Sequence, residues 1–143
     1  MSVLFVCLGN ICRSPTAEAL FRVRYPHVPC DSAGTAGWHV GNPPYADMQA
    51  AARGRGIQMS DLRARQFCAE DFERFDLLIA MDPQNVTDME VLRPSGNRTP
   101  IRLMAHYTNA ATDTVPDPYY TRDFDATLDM LEQAVRGLDS DLR

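Results

Sequence analysis

The chain is expected to fold as one α/β domain spanning 1–143, a three-layer α/β/α arrangement around a central sheet of four parallel strands. Short apolar runs alternate with helical stretches from one end of the sequence to the other. The runs are continuous rather than alternating with polar residues, which is the pattern of strands covered on both faces. A length of 143 residues is enough for one core of ordinary size.

Val3 to Val6 reads as the first buried strand. A helix is predicted from Pro15, behind Ser14 as its cap, with Ala17, Leu20 and Phe21 on one face. Val28 to Ser32 is expected as a second short strand. Asn42-Pro43-Pro44 is read as opening a helix through Met48, Ala51 and Ala52, ended by Gly54 and Gly56. Leu77 to Ala80 is the third strand, Asp82-Pro83 starts the helix after it, and Pro100 to Met104 is the fourth strand. Phe124, Leu128, Leu131, Val135 and Leu138 step by four and three alternately, an apolar stripe on a long helix. The segment from Ala105 to Tyr120 is left as one long loop, and such loops in compact domains usually carry function. The expected strand order is 2-1-3-4, as in flavodoxin-like sheets, where ligands bind beyond the carboxyl ends of the strands.

Composition narrows the function. The hydrophobic fraction of 45% and charged fraction of 23% are those of a soluble globular protein, and a net charge of −5 argues against general affinity for nucleic acid or an acidic membrane. The first apolar run has no basic segment before it and is too short for a signal peptide or a membrane span, so a cytoplasmic protein is expected. All 14 basic residues are arginine, which excludes Schiff-base chemistry and a P-loop NTPase lysine. No GxGxxG fingerprint occurs. The four cysteines form no CxxC and the three histidines are scattered, so no metal site and no cofactor are expected.

The chemistry concentrates at the end of the first strand, in Cys7-Leu8-Gly9-Asn10-Ile11-Cys12-Arg13-Ser14-Pro15. A thiol at a helix N-terminus, among inward N–H groups and beside an arginine, commonly titrates between about 3.5 and 7.5, so Cys7 is expected to be ionised and nucleophilic. Gly9 and Asn10 are the residues best able to take left-handed angles that turn N–H groups inward around an anion. Arg13 supplies a planar fork for two phosphoryl oxygens, and its charge disperses over a trigonal transition state. Ser14 can donate its hydroxyl to the sulfur. Taken singly these residues have bland readings, an inert buried cysteine and a helix cap. Together they favour an anion site, because a buried arginine without an anion is costly.

That segment, followed by Ala17-Glu18-Ala19, resembles the signature of the low-molecular-weight protein tyrosine phosphatases. Ser32-Ala33-Gly34-Thr35, Gly41-Asn42-Pro43-Pro44, Ala64-Arg65-Gln66, Met81-Asp82 and Asp117-Pro118-Tyr119-Tyr120 extend the resemblance over nearly the whole chain. It implies hydrolysis of phosphotyrosine in protein or peptide substrates through a phosphocysteine on Cys7, without metal, with phosphate and vanadate as ligands. It implies that Asp117 protonates the leaving oxygen and then activates water. It also implies that Trp38, Tyr119 and Tyr120 wall a slot for an aromatic ring, with Leu8 and Ile11 projecting towards the substrate. Asn10, Ser14 and Ser32 resemble a hydrogen-bonded brace for the loop of Leu8, Gly9, Asn10, Ile11 and Cys12. Relatives imply a monomer or weak homodimer.

Some readings stay open at the level of sequence. Asp117-Pro118 is also a plain turn signal, and the pattern recurs at Asp82-Pro83, read here only as a helix start. Cys12 either resolves an oxidised Cys7 in a redox switch or packs under the loop as a small side chain. Many relatives place a histidine before Ala64-Arg65-Gln66, joined to the brace; this chain has Gln58-Met59-Ser60-Asp61-Leu62-Arg63 instead, so water or another side chain must complete it. An arsenate reductase, a protein-arginine phosphatase and a non-catalytic phosphotyrosine-binding module are the rival readings. Ile11 and the paired Tyr119-Tyr120 argue against the arginine phosphatase. The absence of a second cysteine near Cys68 argues against the reductase.

Overall fold

The computed structural model describes residues 1–142. Four parallel strands, β1 (Val3–Cys7), β2 (Cys30–Gly34), β3 (Leu77–Ala80) and β4 (Ile101–Leu103), form one sheet in the order β2-β1-β3-β4. That is the expected 2-1-3-4 arrangement. Register runs from Val3 opposite Cys30 to Cys7 opposite Gly34 on one side of β1, and from Val3 opposite Leu77 to Val6 opposite Ala80 on the other.

The period of two along β1 divides the core. Val3, Phe5 and Cys7 face one layer, where helices α1 (Arg13–Arg24), α2 (Ala46–Arg53) and α6 (Phe124–Gly137) supply Phe21, Met48, Leu128 and Leu131. Leu4 and Val6 face the other layer, against Phe72 of α3 (Asp71–Arg74) and Met89 of α4 (Pro83–Glu90). Phe5 and Phe21 meet edge to face with ring centroids 5.5 Å apart. Burial of each such side chain stabilises the fold by about 1.5–3 kcal/mol. The stripe on α6 is buried as its spacing requires, with Leu128, Leu131 and Leu138 at 0% exposure.

The differences from expectation lie at element ends. The second strand starts two residues late, because Val28 is held in a turn by its N–H to the Tyr25 carbonyl and Pro29 only accepts from Val3. The first helix starts at Arg13, not Pro15, and Ser14 does not cap it: Cys12 occupies the N-cap position with no side-chain cap. The second helix begins at Ala46, since Asn42-Pro43-Pro44 stays extended, as residues before proline prefer. The segment expected as one loop contains a 3-10 turn at Met104–Tyr107 and a short helix α5 at Pro118–Thr121. The short α3 was not expected. Among the described residues no helix is long and apolar enough to cross a membrane.

Parallel strands bring all their carboxyl ends to one edge. The loop after β1, the residue after β3 (Met81, then Asp82) and the approach to α5 therefore meet there. Val115 N–H bonds the Met81 carbonyl at 2.8 Å, which pins that approach against the end of β3.

Candidate active site

Cys7 ends β1, 3% exposed, with its sulfur facing the N-terminus of α1. The Asn10 N–H points at that sulfur from 3.3 Å and the Ser14 hydroxyl lies 3.0 Å from it. Asn10 takes φ 58°, the left-handed angle expected of it. Gly9, expected to do the same, does not: its φ is not positive. What glycine supplies there is room, because a Cβ would sit 3.1 Å from Cδ2 of His39, which lies over the loop. Gly34 is required for a similar reason. A Cβ on it would stand 2.8 Å from the Leu8 carbonyl oxygen, so its absence lets the end of β2 support the loop from below.

The brace forms as the resemblance implied. The Asn10 carboxamide nitrogen donates to Ser14 Oγ at 2.8 Å and to Ser32 Oγ at 3.0 Å, while its oxygen accepts the Arg65 N–H at 3.0 Å. Both hydrogens and the acceptor are thus committed, which fixes the side chain and with it the strained backbone angle. On the far side of the brace the Ser32 hydroxyl donates to Glu18 Oε1 at 2.7 Å. Asn10 and Ser14, both counted at first among the phosphate-binding residues, are buried behind the loop.

Arg13 opens α1 at 3% exposure. Its Nη1 donates to Asp82 Oδ2 at 2.7 Å and to the Val115 carbonyl at 3.0 Å; its Nη2 lies 3.4 Å from Asp117 Oδ2. Burial works to lower its pKa, but Cys7, Asp82 and Asp117 outweigh that and raise it above the ordinary guanidinium value. The arginine is therefore a permanent, oriented cation. Asp117 caps α5 through Oδ1, which accepts the Tyr119 N–H at 3.1 Å, and Pro118 follows at the first helical position.

Cys7, Leu8, Gly9, Ile11, Cys12 and Arg13 floor a cavity of about 160 Å³, and Asp117 stands in its wall. Trp38, His39, Tyr119 and Tyr120 complete it. Trp38 and Tyr120 are largely exposed at the rim. Tyr119 packs edge to face on Tyr45, centroids 5.4 Å apart, and on Tyr120 at 5.3 Å. Cys12 is a free, buried thiol. Burial first, then the nearby Asp117 and Cys7, push it up to about 12, so in this state it is a protonated thiol at neutral pH.

Three functional positions went unread in the sequence. Asp82 was taken for a helix start, and it is one, its Oδ1 accepting the Asn85 N–H at 2.8 Å; the second oxygen holds Arg13. An acidic residue just past the carboxyl end of a central strand was the available signal. Glu18 lies four residues after Ser14, on the same helix face and between alanines, a placement that marks a buried carboxylate. His39 gave no signal beyond adjacency to Trp38.

The chain matches the family described as low molecular weight phosphotyrosine protein phosphatase over residues 2–143. It is 41% identical over 145 residues to the low molecular weight protein-tyrosine-phosphatase YfkJ of Bacillus subtilis, across 96% of this chain and 93% of that protein. The crystal structure of YfkJ superposes with a TM-score of 0.93 at 38% identity, covering 99% of this chain and 94% of that one. The human low molecular weight phosphotyrosine protein phosphatase is 42% identical over 134 residues, 87% of this chain and 83% of that protein. A crystal structure titled as a Drosophila arginine phosphatase gives a TM-score of 0.91 at 30% identity, covering all of this chain (100%) and 98% of that one.

Proposed function

The chain belongs to the low molecular weight phosphotyrosine protein phosphatase family and is a protein tyrosine phosphatase, and from that premise we propose the roles of its residues. Cys7 attacks the phosphorus of a bound phosphotyrosine, Arg13 holds two of the phosphoryl oxygens, and Asp117 protonates the departing phenolate oxygen. The P–O bond to the phenol breaks as the S–P bond forms. In the second step Asp117, now a carboxylate, takes a proton from water as the water attacks phosphorus, and the Cys7 thiolate leaves. Ser14 donates to that leaving sulfur from 3.0 Å. No step needs a metal.

The observation that carries this reading is convergence on one small cavity: the sulfur, the buried guanidinium and the Asp117 carboxylate all border it. The exposed rings of Trp38, Tyr119 and Tyr120 suit the walls of a slot for a phenyl group. Phosphate and vanadate are the small anions expected to bind there competitively. Four free thiols suit a reducing cytoplasm, where we place the protein, as a monomer or weak homodimer.

Phosphoarginine is the second reading worth a test, given the likeness to the Drosophila protein. Against it stand Ile11 and the tyrosine pair at the rim. Peptides carrying phosphotyrosine, phosphoserine and phosphoarginine, assayed side by side with chelator present, decide between them. Turnover of phosphotyrosine alone is expected; turnover of phosphoarginine alone would reverse the assignment. Asp117→Asn is expected to lower kcat by about 10² to 10⁴ for aryl phosphates with poor leaving groups and much less for good ones. An equal loss for both would remove Asp117 as the proton donor.

A further inference from the structure

The hydrogen-bonded chain behind the phosphate loop ends on a group that the reaction described above does not use. From the sulfur outwards it runs Cys7 Sγ to Ser14 Oγ at 3.0 Å, Ser14 to Asn10 Nδ2 at 2.8 Å, Asn10 to Ser32 Oγ at 3.0 Å, and Ser32 to Glu18 Oε1 at 2.7 Å. Glu18 is 8% exposed and Ser32 4%. Around the carboxylate stand Arg22 on its own helix, Asp31 and the Cys30 thiol on β2, and Asp61 in the loop that follows α2.

Direction along this chain is set at its far end. The Asn10 amide nitrogen can only donate, so both serine oxygens must accept from it. Each hydroxyl then has its own hydrogen to place. The Ser32 hydrogen has one recipient, the Glu18 carboxylate. The Ser14 hydrogen has two, the Cys7 sulfur at 3.0 Å and the Ala33 carbonyl at a longer 3.4 Å. Without an acceptor at position 18, the Ser32 hydrogen would be buried with no acceptor while Ser32 still takes the Asn10 N–H. The cheapest relief is for the Asn10 carboxamide to turn over and offer its oxygen to both serines. Ser14 would then give its hydrogen to Asn10 rather than to the sulfur, and the Arg65 N–H would lose its acceptor.

We propose that Glu18 is a positioning residue of this phosphatase: as the terminal acceptor for Ser32 it locks the Asn10 carboxamide, and so directs the Ser14 hydroxyl at the Cys7 sulfur. The proposal rests on the phosphocysteine reading given above. It also accounts for a costly arrangement. Burial pushes the Glu18 carboxyl up to about 7, with Asp31 and Asp61 adding to the rise against the opposing Ser32 hydroxyl and Arg22. A group kept at such a cost, at the end of a chain that reaches the nucleophile, has a local job to do.

The second chemical step reads that job most directly, since the sulfur departs as thiolate there and a donated hydrogen bond eases its departure. Rapid-quench measurement with an aryl phosphate separates formation of the phosphocysteine from its decay. In Glu18→Ala, decay is expected to slow about ten-fold while formation changes less than three-fold. Glu18→Gln retains an acceptor oxygen and is expected to recover decay to within about three-fold of the parent. Equal decay in the parent and Glu18→Ala, with only a lowered Tm, would overturn the proposal, as would Glu18→Gln behaving like Glu18→Ala. Should Glu18→Ala fail to fold, Glu18→Leu removes the same acceptor while filling its space, and normal decay in that variant would overturn it equally. Absence of any adduct on Cys7 in the active parent would instead remove the phosphocysteine reading and the proposal with it.

Discussion

Two carboxylates carry much of the electrostatic load around the site. Asp82 uses one oxygen to cap α4 and the other to hold Arg13 at 2.7 Å, so a single side chain ties the sheet edge to the buried guanidinium. Breaking a buried ion pair from one side typically costs 3–5 kcal/mol, because the remaining charge is stranded. Asp82→Ala is expected at the low end, roughly 3 kcal/mol, since Asp117 and the Val115 carbonyl still face Arg13. Inorganic phosphate should answer the stranded guanidinium, so the rise in Tm on adding phosphate is expected to be larger in Asp82→Ala than in the parent. An equal rise would mean that Asp82 does not compete with the anion for Arg13. Glu18 makes a pH prediction. Burial pushes the Glu18 carboxyl from its ordinary 4.5 up to about 7, so the folded protein binds the extra proton between these values. The stabilisation is therefore complete below about pH 4.5 and lost as pH rises through about 7, a swing of roughly 3 kcal/mol. Denaturant unfolding of Glu18→Gln and the parent from pH 4.5 to 8 checks the sign: the variant should gain relative to the parent as pH rises. A constant difference would place the Glu18 carboxyl in an ordinary aqueous range.

At the scale of elements, the site depends on close backbone approach as much as on side chains. Gly34 closes β2 directly beneath the loop, where a Cβ would meet the Leu8 carbonyl at 2.8 Å and the Gly9 carbonyl carbon at 3.0 Å. Gly34→Val is expected to displace the loop and lower kcat/KM at least ten-fold, while far-UV circular dichroism stays close to that of the parent. Retained activity would show that the loop does not need that support. The element that carries Asp117 is built differently. Its approach hangs on the Val115 N–H to Met81 bond, and the aspartate holds its own place by capping α5. The acid is thus set by a short helix whose Pro118 and capping Asp117 are visible as a pair in the sequence. The helix itself was not, since four residues carry too little periodicity to distinguish it from a loop.

Across the whole molecule, what could be read from sequence follows from which interactions are local. β3 spans the Leu77–Ala80 expected of it, and the stripe on α6 is buried where its spacing put it, because both patterns are written in neighbouring residues. The end of β2 was missed because Ala33 and Gly34 have little strand preference and are held there by pairing with Val6 and Cys7. Ser14 does not cap α1, as its place before a proline suggested, while its hydroxyl lies 3.0 Å from the Cys7 sulfur, the contact that the chemistry of the motif had suggested. Cys7, Arg13 and Asp117, proposed above as nucleophile, anion-binding cation and acid, were singled out through motif chemistry, and the fold brings them to one cavity. Asp82, Glu18 and His39 join the site from separate segments, and only the folded sheet edge brings them together. On the proposed mechanism this assembly turns over through a covalent thiophosphate at Cys7. Acid quench of the parent protein during hydrolysis of an aryl phosphate, followed by peptide mass spectrometry, is the most direct measurement of it. The phosphoryl group is expected on the peptide that contains Cys7, and Cys7→Ser is expected to yield neither adduct nor turnover; a phosphoryl group on any other residue, or an active Cys7→Ser protein, would contradict it.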